Sequence, residues 1–400
     1  MEDILKRLEG RNYIEQLTHE KEMRELFQKE SVTFYIGFDP TADSLHVGSY
    51  IPLIIASNLQ KAGHKPIILM GGGTANIGDP SGKTELRKMM SKETIEENVR
   101  CIKKQVERFL TFEGENAAII VNNADWLTDL NFISFMRDIG SLFSINRMLS
   151  AECYKNRLET GLTFFEMGYM LMQSYDFLYL HDKYGCKVQM GGNDQWSNII
   201  GGVELIRKIG AEDSYGFTFK LLTTKDGRKM GKTEKGALWL DAKRTSPYEF
   251  YQYWRNIDDE EVRNVLSMLT FLPMEEVERL SSLKDEKINE AKKVSAYEIT
   301  KLIHGEEEAK KAEEAASALF GTGGNIDNMP TTKLEDKNIS ILDAIVLTGI
   351  TTSKGQAKIL IEQGGITLND EKIGDVQYKL SEKDYEKRIC YSQKRKKSFP

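Results

Sequence analysis

Five short apolar runs constrain this chain more than anything else in it: TFYIGF (33–38), PIILM (66–70), AAIIV (117–121), CKVQM (186–190) and FTFKLL (217–222). Each has strand length and is mostly apolar, and helical periodicity fills the intervals between them. Runs this apolar are buried on both faces, and the intervals are long enough to be crossovers rather than hairpins. The predicted architecture is α/β, with a Rossmann-like doubly wound parallel sheet. In such sheets ligands bind beyond the carboxyl ends of the strands. Those ends read Asp39-Pro40, Gly71-Gly72-Gly73, Asn122-Asn123 and Gly191-Gly192-Asn193-Asp194. Glycine and short polar side chains gather where a ligand would sit.

The first run shows the pattern in detail. Period two places Phe34, Ile36 and Phe38 on one face, fit for burial, and Thr33, Tyr35, Gly37 and Asp39 on the other. A phenol, a bare backbone and a carboxylate make an odd core. Pro40 stops the strand, and His46-Val47-Gly48-Ser49 stands where a helix must begin. An apolar run (Ile51, Leu53, Ile54, Ile55, Leu59) follows, with Gly63 as its C-cap.

Beyond the sheet the composition shifts twice. From Ser246 to Phe320 the chain reads as helical and highly charged, Gly321–Thr332 has linker composition, and a compact basic module follows. The predicted domains are 1–223, the parallel-sheet domain; 224–320, a lysine-bearing loop and an α-helical domain; 321–337, a linker; and 338–400, a small α+β module. The net charge is −6, yet the last fifty residues carry 11 Lys/Arg against 7 Asp/Glu. That balance excludes a generally basic coat and fits a local nucleic-acid contact, although a solvated tail fits the charge equally well. Cys101, Cys153, Cys186 and Cys390 show no paired spacing, so neither a disulfide framework nor a zinc knuckle is expected, and a reducing cytoplasm fits. The opening MEDILKRLEGRNYIEQL reads as a charged amphipathic helix rather than a signal peptide, and no apolar run nears membrane-spanning length.

Three segments compete as phosphate sites. GDPSGKT (78–84) resembles a Walker A loop, but Ile77 stands where that pattern needs its first glycine. KMMSKE (88–93) reads better as a solvated helix face. The third is a pair: His46–Ser49, and Lys229-Met230-Gly231-Lys232-Thr233 far downstream. A helix N-terminus with an imidazole donor suits nucleotide phosphates. Gly48 admits them to the backbone. A glycine-containing lysine loop can close on pyrophosphate as charge develops. Each alone is weak, since a surface histidine and an exposed lysine loop are common. Together they match, in order, the two signatures of class I aminoacyl-tRNA synthetases.

In FFEMGYMLMQSYDFLYL (164–180), Tyr169, Gln173 and Asp176 fall at i, i+4 and i+7 on one helix face. Met170, Leu171, Phe177 and Leu178 cover the other side. A partly exposed face with i,i+4 hydrogen bonds fits the same spacing. The full set, YIGFDPTADSLHVGS, GDPSGK, NNADW, YMLMQSYDF, MGGNDQWSN and KMGKT, resembles the bacterial tyrosyl-tRNA synthetases, and the likeness extends to the C-terminal module.

That resemblance implies a tyrosine–tRNA ligase using tyrosine, ATP with Mg²⁺, and the tRNA for tyrosine, without a protein-bound structural metal. It implies that Tyr35 and Asp176 bind the substrate phenol and that Asp79, Tyr169 and Gln173 hold its ammonium. Gly37, Asp39, Thr41, His46 and Gly48 would line the ATP site, with Gly192 and Asp194 near the ribose. Lys83, Arg87, Lys229, Lys232 and Thr233 would stabilise pyrophosphate. Arg207 and Lys208 would meet the tRNA acceptor stem, and Lys354 and Lys358 would contact tRNA from the C-terminal module. A homodimer is implied as well, and an apolar surface around Phe164 and Phe165 would suit it. The chain departs from the family at Ser49, where a second imidazole or an amide is usual. A catalytically weak RNA-binding relative is the alternative. Ser49 is its only support, and His46, Lys229, Lys232 and Thr233 oppose it. A P-loop ATPase is disfavoured by Ile77, and a tryptophanyl enzyme by Tyr35 with Asp176.

Overall fold

In the computed structural model, which describes residues 3–81, 90–159, 161–211, 213–224, 230–233, 236–318, 332, 338–369, 371–385 and 392–394, six strands form one sheet. They are β1 (Ile14–Leu17), β2 (Thr33–Phe38), β3 (Lys65–Met70), β4 (Ile119–Asn122), β5 (Cys186–Gly192) and β6 (Tyr215–Phe219). Their order is β1-β6-β5-β2-β3-β4. All neighbours are parallel except β1 and β6. The five apolar runs account for β2 to β6. The edge strand β1 was not expected: its residues belong to the segment read as one amphipathic helix. That helix stops at Gly10, and Asn12 takes the left-handed conformation at φ 65°. The chain then reverses into β1, whose backbone pairs with Phe217, Thr218 and Phe219.

The faces of β2 behave as their alternation requires. Phe34, Ile36 and Phe38 are buried in the main core, each burial contributing about 1.5–3 kcal/mol. Tyr35 faces a second cluster with Ile67, Leu69, Phe177 and Ile199. Three helices matter most for the site. Helix α1 (Val47–Lys61) begins at His46 and ends before Gly63, whose φ of +97° permits the reversal. Helix α2 (Phe164–Tyr184) starts at a capping box formed by Thr163 and Glu166 and stops at left-handed Gly185. Helix α3 (Trp196–Lys208) follows β5 through a single turn.

Residues 1–324 form one unit and 325–400 another. In the first, helices Pro247–Arg255, Val262–Leu269, Met274–Ser281, Ile288–His304 and Glu306–Ala318 follow the sheet. Trp254, Leu266 and Ile299 share a core with Phe34 and Tyr50. Buried Arg11 donates to the Ser267 and Thr270 carbonyls, both at 2.9 Å, and to that of Leu272. It thereby satisfies groups that the end of helix Val262–Leu269 leaves open. In the second unit, helices Ile341–Leu347 and Lys354–Glu362 pack on an antiparallel sheet of Glu371–Lys372, Ile366–Leu368 and Ser392–Lys394. Ile341, Ile345, Ile361, Ile366 and Leu380 are the core there. No helix among the described residues is long and apolar enough to cross a membrane.

Candidate active site

Strand order reverses between β2 and β5, the position where an open α/β sheet leaves a crevice at its carboxyl edge. Register places Tyr35 beside Gln189 across that junction. A cleft of about 330 Å³ opens there and brings together Tyr35, Gly37, Asp39, His46, Gly48, Ser49, Asp79, Tyr169, Gln173, Asp176, Gly192 and Asp194. These residues come from five separate segments of the sequence. Thr41 is exposed beside the cleft, and its N–H donates to the Asp39 carbonyl at 2.8 Å.

At the deep end stands Asp176, 1% exposed. Trp126 Nε1–H donates to its Oδ1 at 2.7 Å and Asn123 Nδ2–H to its Oδ2 at 2.9 Å. Burial pushes the carboxyl up to about 7, against the pull of those two donors. Tyr35 is 2% exposed, and its hydroxyl has no hydrogen-bond partner. Burial and the nearby Asp176 charge hold that phenol well above its ordinary range. An unpartnered buried hydroxyl costs about 1–3 kcal/mol, so a polar ligand group here relieves a standing penalty. Gln189 Oε1 is likewise buried without a partner.

A second group of acceptors lies nearer the mouth. Tyr169 donates its hydroxyl proton to Asp39 Oδ2 at 2.9 Å, while Thr74 donates to Oδ1 at 2.9 Å. The Tyr169 oxygen therefore keeps acceptor capacity. Gln195 Nε2–H donates to Asp79 Oδ2 at 2.6 Å, and its Oε1 accepts from Gln173 at 3.3 Å. That leaves Gln173 Oε1 buried and unpartnered. Burial raises the Asp79 carboxyl, opposed by donors on Ser81 and Gln195. A carboxylate, an amide oxygen and a phenol oxygen in one pocket form an acceptor set for an ammonium ion. Gly71 is needed behind them, because a Cβ there would lie 2.2 Å from Asp39 Oδ1.

The outer end is the start of α1. His46 is the N-cap, and its Nδ1 accepts from the Gly48 N–H at 2.9 Å. In the neutral ring the proton is then on Nε2, which becomes the donor. Gly48 has a reason beyond ligand access: a Cβ would stand 2.7 Å from His46 Cε1. Ser49, half-buried in the first turn, donates its N–H to the His46 carbonyl at 2.8 Å. Gly231 meets this end with φ +79°, and a Cβ on it would lie 3.0 Å from that of Val47. The two signature segments, far apart in sequence, are thus in contact. Lys232–Thr233 pairs as a strand with Gly236–Ala237. Lys83, Arg87 and Lys229 lie outside the described residues, as do the last three residues of GDPSGKT, 82–84.

Of the expected tRNA residues, Arg207 and Lys208 do not line the cleft. Arg207 and Lys208 are exposed at the end of α3, Arg207 paired with Glu204 at 2.9 Å and Lys208 donating to the Leu142 carbonyl at 2.5 Å. Lys354 pairs with Asp343 at 2.6 Å and Lys358 with Glu362 at 3.9 Å in the second unit. Sequence reading assigned no role to Asn123, Trp126, Gln189 or Gln195. Gln189 had left a signal, a polar residue within an apolar strand. Among the described residues no group of three or more His, Cys, Asp or Glu side chains is placed to hold a metal ion.

Comparison with known proteins gives a consistent picture. The family model for class I tRNA synthetases of the tryptophan and tyrosine type matches residues 28–321. A model for the tyrosine–tRNA ligase SYY-like C-terminal domain matches 323–399. The chain is 57% identical over 401 residues to the tyrosine–tRNA ligase of Clostridium perfringens strain 13, covering 100% of this chain and 98% of that protein. It is 56% identical over 403 residues to the tyrosine–tRNA ligase of Acetivibrio thermocellus, with the same coverage of both. A solved structure, the C-terminally truncated mitochondrial tyrosyl-tRNA synthetase of Aspergillus nidulans, matches with a TM-score of 0.72 at 29% identity, over 80% of this chain and 95% of that one.

Proposed function

The chain belongs to the bacterial-type tyrosine–tRNA ligases, within the class I aminoacyl-tRNA synthetases, and from that premise we propose how its residues divide the reaction. It activates tyrosine with ATP to tyrosyl-adenylate and pyrophosphate, then passes tyrosine to the 3′-terminal adenosine of its tRNA. The observation that carries the residue assignment is the buried Tyr35 hydroxyl, which has no partner and faces the same cleft as the Asp176 carboxylate. A substrate phenol donates to Asp176 and accepts from Tyr35, satisfying both. Asp79, Gln173 and Tyr169 take the substrate ammonium, and Gln195 fixes the first two relative to each other.

The substrate carboxylate then points toward the start of α1. It is itself the nucleophile, so the protein contributes positioning and charge stabilisation rather than a covalent intermediate. His46 donates Nε2–H to a phosphate of ATP, at a helix N-terminus that already favours negative charge. Gly37, Asp39, Thr41 and Gly48 border the nucleotide, and Gly192 and Asp194 its ribose. Lys83, Arg87 and the Lys229–Thr233 loop balance the pyrophosphate charge as it leaves. Mg²⁺ enters as part of the substrate MgATP.

We read residues 1–223 as the catalytic domain, 224–320 as the lysine loop with the anticodon-side helices, 321–337 as a linker and 338–400 as the RNA-binding module. Exposed Phe164 and Phe165 support a homodimer through an apolar surface around them, and the cytoplasm is the proposed compartment. The division of labour is tested by measuring tyrosine affinity and single-turnover adenylate formation separately. Alanine at Lys229 or Lys232 is expected to slow adenylate formation and leave tyrosine affinity nearly unchanged. A large loss of affinity at a normal rate would remove the loop from the mechanism.

A further inference from the structure

The segment that follows the lysine signature is fastened to the histidine signature by contacts that the scheme above does not use. Val47 N–H donates to the Leu238 carbonyl at 3.0 Å and Leu240 N–H to that of Leu45 at 2.9 Å, so His46 and Trp239 face each other in an antiparallel bridge. Their rings meet edge to face, with centroids 6.2 Å apart and planes at 65°. The Arg244 guanidinium lies over the Trp239 ring, 4.6 Å from its centroid. Its Nη2 reaches within 2.5 Å of Asp43 Oδ1 in the loop before α1, an ion contact without the alignment of a hydrogen bond. Around this stack, Trp239 N–H donates to Thr245 Oγ1 and Asp241 N–H to Ser44 Oγ, both at 3.1 Å. The loop is tied in as well, because Leu238 N–H donates to the Gly231 carbonyl at 2.6 Å.

The hydrogen bond to Nδ1 fixes one atom of the exposed imidazole, and the edge contact with a half-buried indole bears on the plane of its ring. Misplacement of such a group by about 1 Å is enough to cost on the order of 10²-fold in rate. A cation over the indole, itself beside a carboxylate, holds the indole in turn.

We propose that Trp239, held by Arg244 and Asp43, is a positioning residue for tyrosine activation: it sets the plane of the His46 imidazole and ties it to the Gly231 backbone of the lysine signature. This rests on the reading of His46 as the phosphate donor. Because Trp239 acts through His46, it touches neither substrate, and its effect belongs to the rate of activation and not to tyrosine binding.

The test is a double-mutant cycle on the full-length protein, read by single-turnover tyrosyl-adenylate formation with tyrosine affinity measured in parallel. His46→Ala is expected to slow activation at least ~10²-fold. Trp239→Ala is expected to slow it roughly 10–100-fold with tyrosine affinity unchanged. In the His46→Ala background the same change is expected to cost about twofold or less, the scatter of uncoupled sites. Trp239→Phe, which keeps a ring edge, is expected to restore most of the rate. Exposed Arg244→Ala is expected to slow activation in the same direction and to lose that effect without His46, which keeps the test decisive even if Trp239→Ala folds poorly. Equal losses from Trp239→Ala and Arg244→Ala with and without His46, or a loss confined to tyrosine affinity, would overturn the proposal. A normal rate in His46→Ala would instead overturn the phosphate-donor reading on which it rests.

Discussion

Trp126 donates its indole N–H to Oδ1 of Asp176 at 2.7 Å, so the one carboxylate at the blind end of the cleft is oriented from behind. Burial has pushed that carboxyl up to about 7. Below that pH it is protonated in the free protein, and a tyrosine phenol loses its charged acceptor. Tyrosine affinity is therefore expected to fall as pH drops from about 8 to 6, approaching tenfold per unit once well below the group's pKa. Trp126→Phe removes a donor to the charged form and should shift this profile to higher pH. Equilibrium dialysis across the range checks both, and a flat profile would show that no protonation of Asp176 governs tyrosine binding between pH 8 and 6.

The unpartnered Tyr35 hydroxyl makes two predictions that pull in opposite directions. Tyr35→Phe should leave the melting temperature unchanged or raise it, since an unsatisfied buried group is removed. The same change should erode the preference for tyrosine over phenylalanine by roughly 10–100-fold, the value of one or two neutral hydrogen bonds. Tyrosyl-tRNA synthetases are themselves the reference case for this discrimination, at about 10⁵ without editing. Thermal unfolding and competitive activation measure the two effects. Full discrimination in the variant would move the phenol elsewhere.

Ser49 stands where the family resemblance implies a second imidazole or an amide. It lines the cleft in the first turn of α1, where backbone dipoles already attract phosphate. A water bridging from its hydroxyl is a modest substitute. Ser49→Ala is expected to slow activation on the order of tenfold, against at least ~10²-fold for His46→Ala. Ser49→His should raise the rate if the space behind it is still open. Equal losses at both positions in single-turnover assays would contradict this ranking.

The second unit has its own core, which makes its removal a clean experiment. Truncation after Phe320 should leave tyrosyl-adenylate formation intact, because the cleft and its lysine loop remain. Aminoacylation should fall with the loss of Lys354, Lys358 and the basic run Lys394–Lys397, of which 395–397 lie outside the described residues. Binding of tRNA by the full chain should weaken steeply with salt, as counterion release requires. Equal charging by both forms at several salt concentrations would exclude a role for the module.

How much of this was legible beforehand follows the range of the interactions. The faces of β2, the polar stripe Tyr169–Gln173–Asp176 and the glycine-rich strand ends are local patterns of period 2 or 3.6, and they were read from spacing alone. Strand β1 was missed because its partner lies about two hundred residues away, and Ile14 with Leu17 fits a helical spacing as well as an edge strand. Gln195 is another case of distance. It matters because it bridges Asp79 and Gln173, which only the folded sheet brings together. Trp239 reaches His46 in the same way, through an antiparallel bridge that no motif encodes.

The most direct measurement is ATP–pyrophosphate exchange by the wild-type chain with each candidate amino acid. Exchange that saturates with tyrosine, is far weaker with phenylalanine or tryptophan, and is absent without an amino acid is the expected result. ATP hydrolysis without any amino acid, or no tyrosine-dependent exchange in a protein that still binds tRNA, would contradict it.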